Sequence, residues 1–544
     1  MQLIDCAKLF LKYAAGFTRL RQTCVVNLIM KQSIIMKIFL AAMIVAACSK
    51  SSLPAEVNTI NKHHTYYVSP TGNNANAGTL TAPLKSITTA LSKVVAGDTV
   101  IARGGTYYEQ ITFPRSGAAD NWITLKAYPG EKPLIDGSNI LVTGWLALVT
   151  ISNARYISIE GFDICNLISS AFNTDPEGIA INGDSHHITI KNCNIYNIKS
   201  SASLKDWRSG HAILVIGNGT IAITKLVITG CSVHDTQTGT SENITLAGNI
   251  DSFTISHNKI YHTENIGIII AGGDGLNPKG DVATNYARNG VISDNELYNI
   301  SMSNSVDIWG AGNYGAIAIY VCGGAGVVIE RNIVRDSDRG IGLVSESNIY
   351  PTKTTIVRNN FVYNCWRTGI YMGDYLNYTS GGTYDCYVVN NTLFQNDSAI
   401  GAFGEIEGEI RLTERCFNNV IRNNIVYASP VDVFIHKYTN TGSGNIIDNN
   451  LYYTTGTPQW IWNSTNDTPI TDFHSWQVTS GTDATSTNGA DPLLVSIATP
   501  DLHIQASSPA KNTGFVISTA INGTLDIDGN TRIKNNMISK GAQQ

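Results

Sequence analysis

Charge is scarce in this sequence. Only 15% of its 544 residues are Asp, Glu, Lys or Arg, against about 25% in ordinary globular proteins. With 43% hydrophobic residues alongside, the chain is no disordered polyelectrolyte. Its 37 basic and 42 acidic residues leave a net charge of −5, so nothing draws it generally to nucleic acid. Long apolar runs are missing too: the leader-like run 38–47 is ten residues, too short to cross a bilayer as a helix. No Cys-x-x-Cys pair occurs among the ten cysteines, so no zinc site is signalled. Setting aside Cys6, Cys24 and Cys48 leaves seven, an odd number that reads as buried free thiols rather than a disulfide framework. Polarity must then come from Asn, Thr, Ser and the 49 Gly, which is the composition of a β protein.

The first residues read as targeting. Met36-Lys37 followed by Ile38–Ala47 gives a basic end, a short apolar run and small residues before Cys48. Val45-Ala46-Ala47-Cys48 resembles a bacterial lipobox, in which the Cys becomes the lipidated first residue. Residues 1–29 fit neither a leader nor a domain, so Met30 or Met36 is the expected start and the stretch before it a gene-start artefact. Residues 48–63 read as a polar tether, which places the protein at the bacterial cell envelope, lipid-anchored or secreted.

The centre of the chain repeats one phrase: β-type residues, a polar step with Asn, then an apolar pair. Ile255–Tyr261, Ile292–Tyr298, Val357–Tyr363, Ile421–Tyr427 and Ile447–Tyr453 all carry it. The turn position falls at 162, 193, 231, 258, 295, 332, 360, 391, 424 and 450, a mean step of 32 residues. It is Phe162, Cys193 and Cys231 in the first three units and Asn in the rest. A second short strand, Gly-Ile-x-Ile, recurs at Gly178, Gly267, Gly340 and Gly369. Short strands and turns repeated this way predict coils of a parallel β-solenoid, stacked about 4.8 Å apart. Asn amides stacked from coil to coil would satisfy turn groups otherwise buried unpaired.

These features resemble the right-handed parallel β-helix proteins of the pectate-lyase-like superfamily. The stretch Tyr66–Gly72, Gly78-Thr79, Pro83–Ile87, Gly97–Val100 and Gly104–Tyr107 is typical of its secreted members, and Asp491–Leu493, Ser507–Ala510 and Asp526–Asn530 resemble their tails. The resemblance implies an all-β, single-stranded right-handed β-helix of about ten or more coils over 64–541. Residues 64–140 are the N-terminal cap and first coils, 154–455 the central coils and 456–541 a C-terminal cap region. Ser86 caps a predicted helix running to about Ala96, with Ile87, Ala90, Leu91 and Val94 on the face that covers the first coil.

A solenoid interior is filled, so a ligand must sit outside. The outward positions of the Gly-Ile-x-Ile strand are predicted to be Ala180, Ala318, Gly342 and Tyr371, a shallow strip with one ring to stack on a sugar. Long loops border it, carrying Trp207, Arg208 and His211, then Asp274, Lys279 and Arg288, then Asp307 and Trp309. Carboxylates recur just after the strand: Asp184, Asp274, Glu346, Asp374 and Glu405. Two chemistries fit. A β-eliminating lyase on an acidic glycan would use Lys279 and Arg288 as base and clamp. Asp274, Glu346 and Asp374 would then offer oxygens to Ca²⁺. A glycoside hydrolase would instead pair Glu346 with Asp374. A third reading is a glycan-binding surface protein without activity. The expected partner is a polysaccharide, with the membrane reached only through the lipid anchor and no nucleic acid; the expected state is a monomer.

Overall fold

A computed structural model describes residues 63–203, 208–273, 275–401, 404–465 and 468–544. Three long parallel sheets run its length, with 14, 12 and 13 strands among the described residues. Each coil gives one strand to each sheet, and the chain returns to pair with the coil before it. In the central coils, for example, 328–330 pairs with 356–358, 333–335 with 361–363 and 339–345 with 370–374. This is the right-handed parallel β-helix. Its interior is one continuous apolar column, from Val68 and Leu84 at one end to Trp460 and Trp476 at the other.

The turn Asn ladder forms as the repeat implies. Asn258, Asn295, Asn332, Asn360, Asn391, Asn424 and Asn450 are each at most 2% exposed. From Asn258 to Asn424 each amide nitrogen donates to the next coil's Oδ1, at 2.9–3.1 Å. That same oxygen accepts the backbone N–H of the Asn before it, at 2.8–3.1 Å. The ladder ends at Cys231, whose N–H donates to Asn258 at 2.8 Å. The residue before each ladder Asn is left-handed, with φ between 53° and 58° from His257 to Asn449. That geometry turns the chain sharply enough to start the next sheet.

Both ends of the column are covered. The helix Ile87–Lys93 is capped by Ser86 and buries Ile87, Ala90 and Leu91. Glu109 adds a second cap, accepting from Ile87 N at 2.9 Å and Thr88 N at 3.0 Å. The helix ends at Lys93, three residues earlier than the sequence suggests, because Val94 is extended. At the far end the helix Phe473–Ser480 inserts Trp476 against Trp460. The buried carboxylate of Asp483 accepts from Trp476 Nε1 at 2.7 Å and from Tyr452 Oη at 2.9 Å. All seven cysteines of the described region are free thiols. No helix among the described residues is long and apolar enough to cross a membrane.

Candidate functional site

The Gly-Ile-x-Ile strands build the 12-stranded sheet, and its outer face forms a continuous strip. Register places Thr150, Ala180, Leu214, Thr245, Ile269, Tyr320, Gly342, Tyr371, Arg411 and His436 in one row. Ala180, Gly342 and Tyr371 are where the sequence put them. Ala318 is not. It is wholly buried and belongs to the inner core, and Tyr320 takes the outward place. The frame slips because Ala318 stands where other coils have Gly. The position is tight in those coils: a Cβ on Gly178 would lie 2.5 Å from Ala212 O, and one on Gly340 2.3 Å from Gly369 O. Gly342 is a close approach of another kind, since its Cβ would sit 2.7 Å from the Tyr320 ring.

A 440 Å³ pocket opens on this face around Tyr371. Arg339, Arg367 and Arg411 line it with Glu405, Tyr375 and Tyr438, and the Arg411 guanidinium lies 4.7 Å from the Tyr438 ring centre. Glu407 lies beneath, wholly buried. It holds Arg339 through two bonds of 3.0 and 2.9 Å and takes a third from Arg367 at 2.5 Å. Burial alone would raise the Glu407 carboxyl, but Arg339, Arg367 and Arg411 together hold it well below the usual carboxylate range. Breaking such a pair from one side costs about 3–5 kcal/mol, so the guanidiniums are fixed in place. Arg411 is 1% exposed and its Nε–H has no protein partner. Tyr371 lies with the Arg339 guanidinium 4.8 Å from its ring centre. Burial pushes the phenol up against the pull of Arg339 and Arg411, so it stays protonated. These groups come from strands 339–345, 370–374 and 410–412 and from the loop after 401. Of them the sequence reading singled out Tyr371 and Glu405. The arginines carried no spacing signal, since each sits at a different place in its coil.

The sequence-predicted residues divide. Glu346 follows Ser345, which pairs with Asp374, so the two carboxylates do lie on neighbouring strands. Asp374, however, is wholly buried with both oxygens on Arg415, each at 2.8 Å. Burial still raises its carboxyl to about 6, against the pull of Arg415. Glu346 is exposed and accepts from Tyr320 Oη at 2.7 Å. Arg288 is not in the strip. It is locked by Asp251 at 3.1 Å, Asn249 at 3.1 Å and the carbonyls of Thr284 and Tyr286. Lys279 is exposed on the same loop and does not line the Tyr371 pocket. The proposed base and clamp therefore do not meet the proposed carboxylates. Of the three carboxylates offered to Ca²⁺, Asp374 bonds Arg415, Glu346 accepts from Tyr320, and Asp274 lies outside the described residues. Asp274, Trp207 and Cys48 lie outside the described residues.

Arg208, Trp309 and His211 sit at the other edge of the sheet. Arg208 pairs with Asp307 at 2.9 Å and Trp309 Nε1 donates to Glu264 at 3.1 Å, so two loops close on each other as a wall. His211 is 1% exposed, with Nδ1 at 2.9 Å from Thr245 Oγ1. Its Nε2 has no hydrogen-bond partner and lies 3.7 Å from Asp175. Beside it in register is Glu177, 3% exposed. Burial, then Asp175, raises the Glu177 carboxyl to about 8, and burial raises Glu409 likewise to about 8. Both folded values stand above the ordinary one near 4.5, so the stability they contribute is full below that value and is lost as pH rises through 8. Glu407 acts oppositely, but only as pH falls below the ordinary range. The melting midpoint is therefore expected to drop between pH 5.5 and 8. A flat or rising midpoint would mean that these carboxyls ionise freely in the folded state.

Comparison with known proteins agrees with this architecture. Residues 66–259 match the family described as "Pel9A-like, right handed beta helix region". The uncharacterized protein YwoF of Bacillus subtilis (strain 168) is 32% identical over 448 residues, covering 82% of this chain and 92% of YwoF. Pectate lyase PEL9 of Emericella nidulans is 45% identical over 76 residues, 14% of this chain and 18% of that protein. Among solved structures, the GH136 lacto-N-biosidase of Eubacterium ramulus superposes with a TM-score of 0.48 at 15% identity, over 85% of this chain and 71% of that one. With its three parallel sheets, its Asn ladder and a relative matched over nearly its whole length, the chain belongs to the pectate-lyase-like right-handed β-helix family that includes YwoF.

Proposed function

We propose that the protein is a carbohydrate-active enzyme that cleaves an acidic polysaccharide by β-elimination in the Tyr371 pocket. The observation that carries this reading is the cluster of Arg339, Arg367 and Arg411, held by the buried Glu407 at the wall of a pocket that Tyr371, Tyr375 and Tyr438 also line. A uronate carboxylate is a planar acceptor of the kind guanidinium groups bind best. Docked there, its charge is offset and the neighbouring C5–H becomes acidic. Glu405, partly exposed at the rim and paired with Arg367 at 3.3 Å and Arg411 at 3.2 Å, accepts the C5 proton once the uronate carboxylate takes over those guanidiniums. The C5 electron pair forms the C4=C5 double bond and the C4–O bond breaks. The Tyr371 hydroxyl, kept protonated by burial, donates its proton to the departing oxygen. The lyase name of the Emericella relative supports the same class. The pair Glu346 and Asp374 gives no comparable support to hydrolysis, because Arg415 occupies Asp374. The motif ending at Cys48 supports export to the cell envelope.

The test is a panel of uronate-containing and neutral polysaccharides, followed by absorbance near 235 nm and by reducing ends. A lyase raises both signals together on a uronate polymer. Reducing ends without the absorbance would mean hydrolysis and would end the elimination reading.

A further inference from the structure

A second opening lies on the same face, at the other end of the strip. It holds 170 Å³ between Trp145, Glu177, Asn182 and Asn218, with Ala180 and Leu214 as its floor. From Ala180 to Tyr371 is six strand steps, about 29 Å at a strand spacing of about 4.8 Å. We propose that this opening is a second glycan-binding site, which takes one uncharged pyranose ring and so selects a heteropolysaccharide carrying both neutral and uronate residues. The inference rests on the reading of the strip as a polysaccharide track.

Four observations carry it. Trp145 is 59% exposed at the lip, a large ring that burial in the fold does not explain and that suits the C–H face of a sugar. Glu177 is 3% exposed and lines the opening, yet no described protein group donates to its carboxyl. A buried carboxyl without a partner is costly, and a sugar hydroxyl would supply one. Asn182 and Asn218 each commit the amide oxygen to the protein, to Ser152 Oγ at 2.6 Å and Gly183 N at 2.8 Å. Their amide nitrogens remain to donate to hydroxyls. Finally, no Lys or Arg lines the opening, while Asp175, Glu242 and His211 lie behind Glu177. A uronate there would find no Lys or Arg to pair its carboxylate. The raised Glu177 carboxyl is consistent with a neutral guest.

The experiment is calorimetric titration of the whole protein with neutral oligosaccharides of glucose, xylose, galactose and mannose, and with glucosamine oligomers. At least one neutral series is expected to bind. Trp145→Ala should weaken it at least tenfold, and Glu177→Leu should do the same from beneath. Tyr371→Phe should leave this binding unchanged. Because Trp145 is mostly exposed, Trp145→Ala should keep the parent melting midpoint, which separates lost binding from lost fold. On a cleaved heteropolysaccharide Trp145→Ala should raise KM and leave kcat alone. The inference is overturned if no neutral series binds, if Trp145→Ala binds like the parent, or if glucosamine oligomers bind more tightly than the neutral ones. The elimination reading fails on a different result, the absence of 235 nm absorbance, so the two can fall separately.

Discussion

Tyr371→Phe is expected to lower kcat on the cleaved polysaccharide by about 10²–10⁴-fold, the usual share of a general acid, while KM changes little. The phenol hydroxyl makes no hydrogen bond to a described protein group, so its removal disturbs no structural contact. The ring stays packed beneath Arg339, and the melting midpoint should hold. The chemistry changes more. Without the Tyr371 proton the departing oxygen leaves as an alkoxide, a poorer leaving group. Arg411→Lys separates binding from proton transfer. A lysine keeps the charge but lacks the planar fork, so its main effect should be on KM. Should Tyr371→Phe retain more than half of the parent kcat, the Tyr371 pocket is not where the bond breaks.

Asn332→Ala should cost about 3–5 kcal/mol of stability, read as a large fall in the urea midpoint. Asn332 Oδ1 accepts from both Asn295 N and Asn295 Nδ2, at 3.0 and 2.9 Å. Its own Nδ2 donates to Ile292 O, Glu330 O and Asn360 Oδ1. Alanine leaves two buried donors without acceptors, and each orphaned group costs about 1–3 kcal/mol. It also opens a void where the amide was. The site is central in the ladder, so both neighbouring coils lose a partner at once. Unfolding in a solenoid need not be all-or-none. The loss should therefore appear first in coils 295–360, as faster amide exchange there. A loss under about 1 kcal/mol would mean that the ladder is incidental to the fold.

The fold was legible because it is written in a repeat. Seven Asn at one turn position, each before an apolar pair, give the coil period, and the outward row of the Gly-Ile-x-Ile strand follows from side-chain alternation. Alternation failed only where Ala318 stood in for Gly, since residue type alone does not mark which small residue faces the next coil's carbonyl. The pocket was only partly legible, for a different reason. Tyr371 lies on the periodic row and could be found. Arg339, Arg367 and Arg411 meet through Glu407, whose position depends on a loop of irregular length between 394 and 410. Asp374 was visible as a carboxylate, but nothing local announced Arg415 one coil on. Asp251 likewise hid the true role of Arg288. A charge in such a chain is informative about position, and its partner decides whether it is free to act.

One further sign in the repeat was the doubling of Asn at 359–360, 390–391, 423–424 and 449–450, where earlier coils have one. The second Asn of each pair joins the ladder. The first faces out and holds the end of the chain: Asn359 donates to Asn522 O, Asn390 to Ser539 O, Asn423 to Phe515 O and Asn449 to Thr513 O. Residues 513–541 thus lie across four successive coils. Order of synthesis follows from this. Every coil from 359 to 450 exists before the segment that braces it, so its outward amides face water until residues 513–541 emerge. The lengthwise brace is then the last part to close, and until it does the coils are joined only to their immediate neighbours.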